Sequence, residues 1–356
     1  MKKIFLGITV FFLLFLAGCG ANELENSAFP LVIGIAPEEN EKFGVYMAYP
    51  DLQDSKAREN AMSTDAFWQG NVSDLFDAMD TMSENSSKNV DLNQLKILIL
   101  DKSLMESPEN CEQVIAFFQE NREAAWNSYV LLTDGDMEKI FSEDLEIQTC
   151  LGLYLEDLIE EWTDMRAQSK TVVGDLMSQY YNRNETILIP VVRIEGKKPA
   201  IEKFEAVKDL TVVSELPTER AYEVMLLQNQ LKQYSFPMDD GTRIKMQTVR
   251  VERSIDIEEN GSLVINIMIK GIAEVENRLL LSEEEQAEVC RQAERQLEQR
   301  LLGLAEEQKE KYRYDVTNSF LLLAGYNRDL WQEYGADRES YEADLQYRIE
   351  VKLTNR

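Results

Sequence analysis

The chain has 356 residues, 44% of them hydrophobic, enough for two or three domains with buried cores. Its 65 acidic residues outweigh 37 basic ones, a formal net charge of −28 that nucleic acid and anionic lipid head groups repel. It contains no histidine, which excludes Ser-His-Asp triads, histidine-ligated metals and imidazole general bases together.

Lys2 and Lys3 precede an apolar run from Ile4 to Phe15, and Leu16-Ala17-Gly18 then lead into Cys19. The run is shorter than the ~20 residues that cross ~30 Å of hydrocarbon, so it reads as a secretion signal and not a spanning helix. Leu16, Ala17 and Gly18 resemble the cleavage box of bacterial lipoproteins: small side chains fit a peptidase cleft, and the Cys19 thiol is the nucleophile for a diacylglycerol. The expectation is a signal peptide over 1–18 and a lipidated tether over 19–26, with Cys19 carrying S-diacylglycerol and N-acyl groups. Acyl chains contribute ~0.8 kcal/mol per buried CH₂, so one is marginal and two or more hold a protein on the bilayer. The competing account is an ordinary signal peptide with an incidental cysteine. Beyond the covalent lipid, no cofactor and no metal is expected. Cys111, Cys150 and Cys290 are odd in number and widely spaced, which argues against a disulfide framework or zinc site. Two of them fall in helical apolar patterns, as buried small hydrophobes do.

After the tether, Leu31 to Ile35 reads as a strand, Glu38 to Lys42 as a charged turn and Phe43 to Tyr49 as the returning strand of a hairpin. Asp51 to Gln94 is polar, with one amphipathic helix over Val72 to Met82. Leu95 to Leu100 is a strand, Ser107-Pro108 opens a helix, and Tyr129 to Leu132 is a second strand; this order predicts a crossover and a partly parallel sheet. Asp134-Gly135 turns into helices at Leu151 to Trp162 and Val173 to Tyr181, and an N-terminal α/β domain, 27–185, ends there.

Thr186 to Ile194 is a strand which Pro190 marks as an edge or a bulge. Ile201 to Val213 continues extended, a helix runs from Pro217-Thr218-Glu219 to Leu231, and Ser235 to Gly241 looks like a connector; 186–245 is thus a small middle domain. In the last part, 246–356, Val249 to Ile257 and Leu263 to Ile269 alternate around Asn260-Gly261, a tight hairpin turn. Ser282 and Glu285 make a capping box for a long helix with the apolar stripe Ala287, Cys290, Ala293, Leu297, Leu301 and Leu304. Leu345 to Leu353 alternates as a final strand. The prediction is α+β in three domains with mixed sheets, the C-terminal one an antiparallel sheet packed by the long helix.

The lipoprotein box, Glu23-Leu24 before a strand with Gly34-Ile35, Ile265-Asn266-Ile267 before Gly271-Ile272-Ala273-Glu274, and Lys311-Tyr312-Arg313-Tyr314-Asp315 followed by Trp331 together resemble the Ger(x)C spore-germination lipoproteins. The likeness runs over nearly all of the mature chain, in order and spacing. It implies a non-enzymatic C-type subunit of a nutrient germinant receptor, partnered by A-type and B-type membrane subunits. It also implies a lipid-anchored location on the outer face of the bacterial cell or at the inner spore membrane.

Trp331 and Asp315 are the candidates for a partner contact. Two alternatives stand beside this one. A lipid-anchored solute-binding protein of an importer would need a cleft between two similar lobes, which the dissimilar halves do not suggest. A surface hydrolase would draw on Glu156-Asp157 with Glu160-Glu161, or Asp134 with Asp136 and Glu138; adjacency on a solvated helix supplies neither a cleft nor a raised pKa. Asp134-Gly135-Asp136 also lacks the glycine and terminal glutamate of a calcium loop.

Overall fold

The computed structural model describes residues 27–39, 42–51, 65–86, 88–106, 108–121, 126–142, 144–166, 171–182, 185–259, 262–276, 281–326, 328–335 and 337–355. Leu16 to Cys19, the turn at Asn260-Gly261 and the side chain of Trp162 lie outside the described residues.

The first half runs β1 (Ser27–Ala28), β2 (Val32–Glu38), β3 (Lys42–Pro50), β4 (Asp65–Val72), α1 (Leu75–Ser86), β5 (Asn89–Val90), β6 (Ile97–Asp101), α2 (Pro108–Glu120) and β7 (Tyr129–Thr133). Then come α3 (Met137–Ile140), α4 (Leu151–Arg166), α5 (Val173–Asn182), β8 (Thr186–Glu195), β9 (Lys198–Lys208) and β10 (Thr211–Pro217). Eight of these strands form one sheet in the order β10-β9-β8-β7-β6-β2-β3-β4. The β2–β3 hairpin is antiparallel and the β6, α2, β7 crossover is parallel, both as expected. Both faces of the central strands are buried, which explains their nearly unbroken apolar runs. Ile33, Leu98, Leu100 and Leu132 pack with α1, α2 and α5, while Val32, Ile97, Ile99 and Leu131 pack with α3 and α4. Gly34 permits the second contact: a Cβ there would stand 2.5 Å from Met137 Sδ.

Three local expectations are corrected and one, at Pro190, is resolved. The polar stretch after Asp51 contains strand β4, and its helix starts at Leu75, not Val72. Of the two readings of Pro190 the bulge holds and the edge does not: β8 is interior, with a bulge between Val191 and Val192. The missing N–H is tolerated because β7 and β8 pair at a single position, Leu132 with Val191. Ile201 to Val213 is not one extended run, since Asp209 (φ 52°) and Leu210 (φ 60°) turn the chain between β9 and β10. Finally, 186–245 holds no sheet of its own among the described residues: β8 to β10 extend the first sheet, and Tyr234–Pro237, which takes the first residues of the connector expected over Ser235 to Gly241, pairs into the second.

The second half runs α6 (Thr218–Leu227), β11 (Tyr234–Pro237), β12 (Arg243–Ile257), β13 (Leu263–Val275), α7 (Glu283–Tyr312), α8 (Phe320–Tyr326), α9 (Arg328–Tyr334), α10 (Arg338–Asp344) and β14 (Leu345–Asn355). The sheet order is β11-β12-β13-β14. Helix α7 carries the expected capping box at Ser282 and Glu285. The sheet is antiparallel except at its last pair: β14 lies parallel to β13, beginning with Leu345 opposite Leu263. Length is the reason. The 30 residues of α7 make about 45 Å of helix, against about 43 Å for the 13 residues of β13. The helix therefore returns the chain to the end where β13 began; residues 313–344 fold back to that end, where Lys309 Nζ of α7 donates to Leu345 O, so β14 runs the same way as β13.

Helix α7 lies along the free edge of β14. Glu298 Oε1 accepts from Val351 N at 2.9 Å and Glu294 Oε1 from Leu353 N at 2.7 Å, so acidic side chains occupy donors that another strand would use. The two sheets share a core: Leu188, Phe204 and Leu216 join α6, Ile265, Ile267, Leu297 and Leu301 in one cluster.

Candidate functional site

Cys19, the expected lipidation site, stands eight positions before Ser27, so a tether from it reaches at most ~29 Å. The first described pairing, Ser27 with Asn89 and Ala28 with Val90, sets the start of the described chain beside β5, directly after α1.

Trp331 on α9 is 36% exposed and its ring lies 5.7 Å from that of Phe320. Asp315 reaches no surface: it is 2% exposed. Its Oδ1 accepts from Thr317 N (2.9 Å), Thr317 Oγ1 (2.6 Å) and Tyr347 OH (3.3 Å), and its Oδ2 from Ser319 N (2.6 Å) and Ser319 Oγ (2.5 Å). Burial and the adjacent Asp315 carboxylate push the Tyr347 phenol well up. Asp315 is therefore the hub of the loop after α7 and not a partner contact. That loop joins the halves: Asn318 Oδ1 accepts from Thr186 N at 2.8 Å, and Asn318 Nδ2 donates to Thr186 O at 3.0 Å.

Around this seam further buried polar groups converge. Gln179, 2% exposed, donates to Glu185 O and Val207 O and accepts from Leu210 N. Lys208 at the end of β9 pairs with Glu342 on α10 and donates to Arg313 O at 3.3 Å. Between the seam and the first sheet, where β7 and β8 splay, a cavity of about 90 Å³ opens. Thr186, Leu188 and Pro190 of β8, Phe204 of β9, and Tyr222 and Met225 of α6 line it. Among the described residues, the sequence singled out none of these. A threonine opening a strand, with apolar and aromatic residues spread from Leu188 to Met225, carries no spacing signal.

Four of the carboxylates offered to a hydrolase are engaged elsewhere. Glu156 pairs with Lys96 at 3.0 Å, Glu160 accepts from Tyr129 OH at 3.3 Å, and Asp136 pairs with Lys139 at 2.6 Å. Asp134 bridges Arg193 (2.9 Å) and Lys203 (3.0 Å). Burial opposes its ionisation, but the Lys203 and Arg193 hydrogen bonds win and lower its pKa. Sequence reasoning missed the neighbouring Glu205, fully buried with Lys102 Nζ at 2.5 Å from Oε1 and no partner on Oε2. Burial raises its pKa, against the lowering effect of Lys102. Lys203 and Glu205 alternate along β9 as surface residues would, but Lys102 after β6, Asp134 after β7 and Glu215 of β10 close over them.

Comparison with known proteins fits this architecture. Residues 20–194 match the family profile described as spore germination protein N-terminal domain, and residues 206–356 match the one described as spore germination B3/GerAC like, C-terminal. No curated protein matches. The fold is similar to the crystal structure of the GerBC protein, at 15% identity and a TM-score of 0.58, covering 94% of this chain and 99% of that one. Matched in both halves and in order, the chain belongs to the GerAC-like, or Ger(x)C, family of spore germination proteins.

Proposed function

We propose that the chain is a lipid-anchored, non-enzymatic subunit of a spore nutrient germinant receptor, needed for receptor assembly and the germination response. Its partners in this reading are the A-type and B-type membrane subunits, at the inner spore membrane. The observation that carries it is the pair of family matches over 20–194 and 206–356. Among the described residues no helix is long and apolar enough to cross a membrane. The diacylglycerol on Cys19 is the proposed attachment, and the acidic surface makes electrostatic adhesion to anionic lipid a poor substitute. The non-enzymatic assignment is supported by Asp134, Asp136 and Glu156, each held in an ion pair.

The test is Cys19→Ala in spores. The variant is expected to leave the membrane fraction and to abolish the nutrient response. A variant that stays membrane-bound and germinates like the parent would contradict the proposal.

A further inference from the structure

The cavity at the seam has a definite chemical character. Asp175 and Glu185 both line it, and no lysine or arginine does among the described residues. Burial raises the pKa of both carboxyls, and Asp175 raises that of Glu185 further; the Val172 N–H and the more distant Arg338 act in the other direction. Arg338 is engaged with Glu342 at 2.8 Å. The rest of the wall includes the aromatic residues Tyr129, Phe204 and Tyr222.

One polar atom there has nothing to bond. Thr186 is 1% exposed and its Oγ1 has no hydrogen-bond partner. The pleat puts its side chain on the face of β8 that carries Leu188 and Pro190, the face on which the cavity lies. A buried hydroxyl left unmatched costs free energy, and a donor in the cavity would relieve it.

Desolvated carboxylates, aromatic faces and an unmatched oxygen are complementary to one class of molecule. We propose that this cavity binds a small organic ammonium ion, its N–H groups directed to Glu185, Asp175 and Thr186 Oγ1 and its apolar part against the aromatic wall. At about 90 Å³ the space is smaller than the ~150 Å³ that accepts benzene, so the ion has roughly four to six non-hydrogen atoms or extends from the mouth. The two halves of the fold both contribute to the site, and its occupation would tie them together.

The test is NMR titration of the full-length chain with n-propylammonium chloride, n-propanol and sodium propionate. Saturable binding of the ammonium is expected, tighter than either other compound by about tenfold or more. Glu185→Gln and Thr186→Val should each weaken it by about tenfold without shifting thermal unfolding, while Glu283→Gln, on the exposed first turn of α7, leaves it unchanged. Should either cavity variant fail to fold, the preference of the parent chain among the three compounds still decides. No saturable binding, equal binding of propanol, or affinity indifferent to Glu185→Gln would overturn the proposal, as would crystals soaked in the ammonium that hold only water in the cavity.

Discussion

Asp315→Asn tests whether this carboxylate organises the seam. Its two oxygens together take five hydrogen bonds, three on Oδ1 and two on Oδ2, all from groups inside the fold. An amide keeps one oxygen and turns an NH₂ toward the remaining donors. The Thr317 or Ser319 hydroxyl can rotate away, but one backbone N–H, of Thr317 or of Ser319, must lose its acceptor. That buried loss costs ~1–3 kcal/mol, and reducing the other bonds from charged to neutral strength adds roughly 1 kcal/mol. At ~2–4 °C per kcal/mol the midpoint of thermal unfolding falls by roughly 5–15 °C. Circular dichroism at 222 nm follows the melt, and Asp329→Asn, on the exposed side of α9, serves as the control. An Asp315→Asn protein that melts with the control would refute the structural role, since a carboxylate free to contact a partner gives up nothing on becoming an amide.

Asp65 gives a pH-dependent prediction. Burial raises its pKa to about 6, against the opposing bond from Leu151 N, and its Oδ1 has no partner. The folded pKa lies above the unfolded one, so this group's contribution is complete below about pH 4 and is lost as pH rises through about 6. The shift corresponds to ~3 kcal/mol at most. Urea midpoints of Asp65→Asn should therefore gain on the parent between about pH 5 and about pH 7.5, and a difference that stays constant with pH refutes the assignment. The three described cysteines are buried, with Cys111 pushed up to about 12 by burial alone. Ellman's reagent is expected to find no reactive thiol in the native protein and three after denaturation. A fourth would mean that Cys19 is a free thiol.

Much of this fold was legible because its signals are local. Apolar runs such as Ile97 to Leu100 mark strands buried on both faces, and Ser282 with Glu285 marks a helix start whatever the tertiary context. What sequence patterns missed depends on residues distant in the chain. Period-two alternation in Leu345 to Leu353 is the same for parallel and antiparallel pairing, and the direction follows from the length of α7 and the return of residues 313–344 to its end. The turn at Asp209-Leu210 has one weak mark, an aspartate that tolerates positive φ, followed by a leucine whose positive φ composition does not announce. Strand β4, with Gly70 and Asn71 inside it, owes its existence to the hydrogen bonds of β3. The cavity is further still from the sequence, since Asp175, Glu185, Phe204 and Tyr222 meet only once α6 has brought the two sheets together.

The most direct measurement is affinity isolation of the tagged chain from detergent-solubilised spore membranes, with the co-isolated proteins identified by mass spectrometry. The account predicts a membrane-bound chain acylated at Cys19, recovered with two polytopic membrane proteins in constant proportion. A chain that fractionates as soluble protein and comes down alone would contradict it.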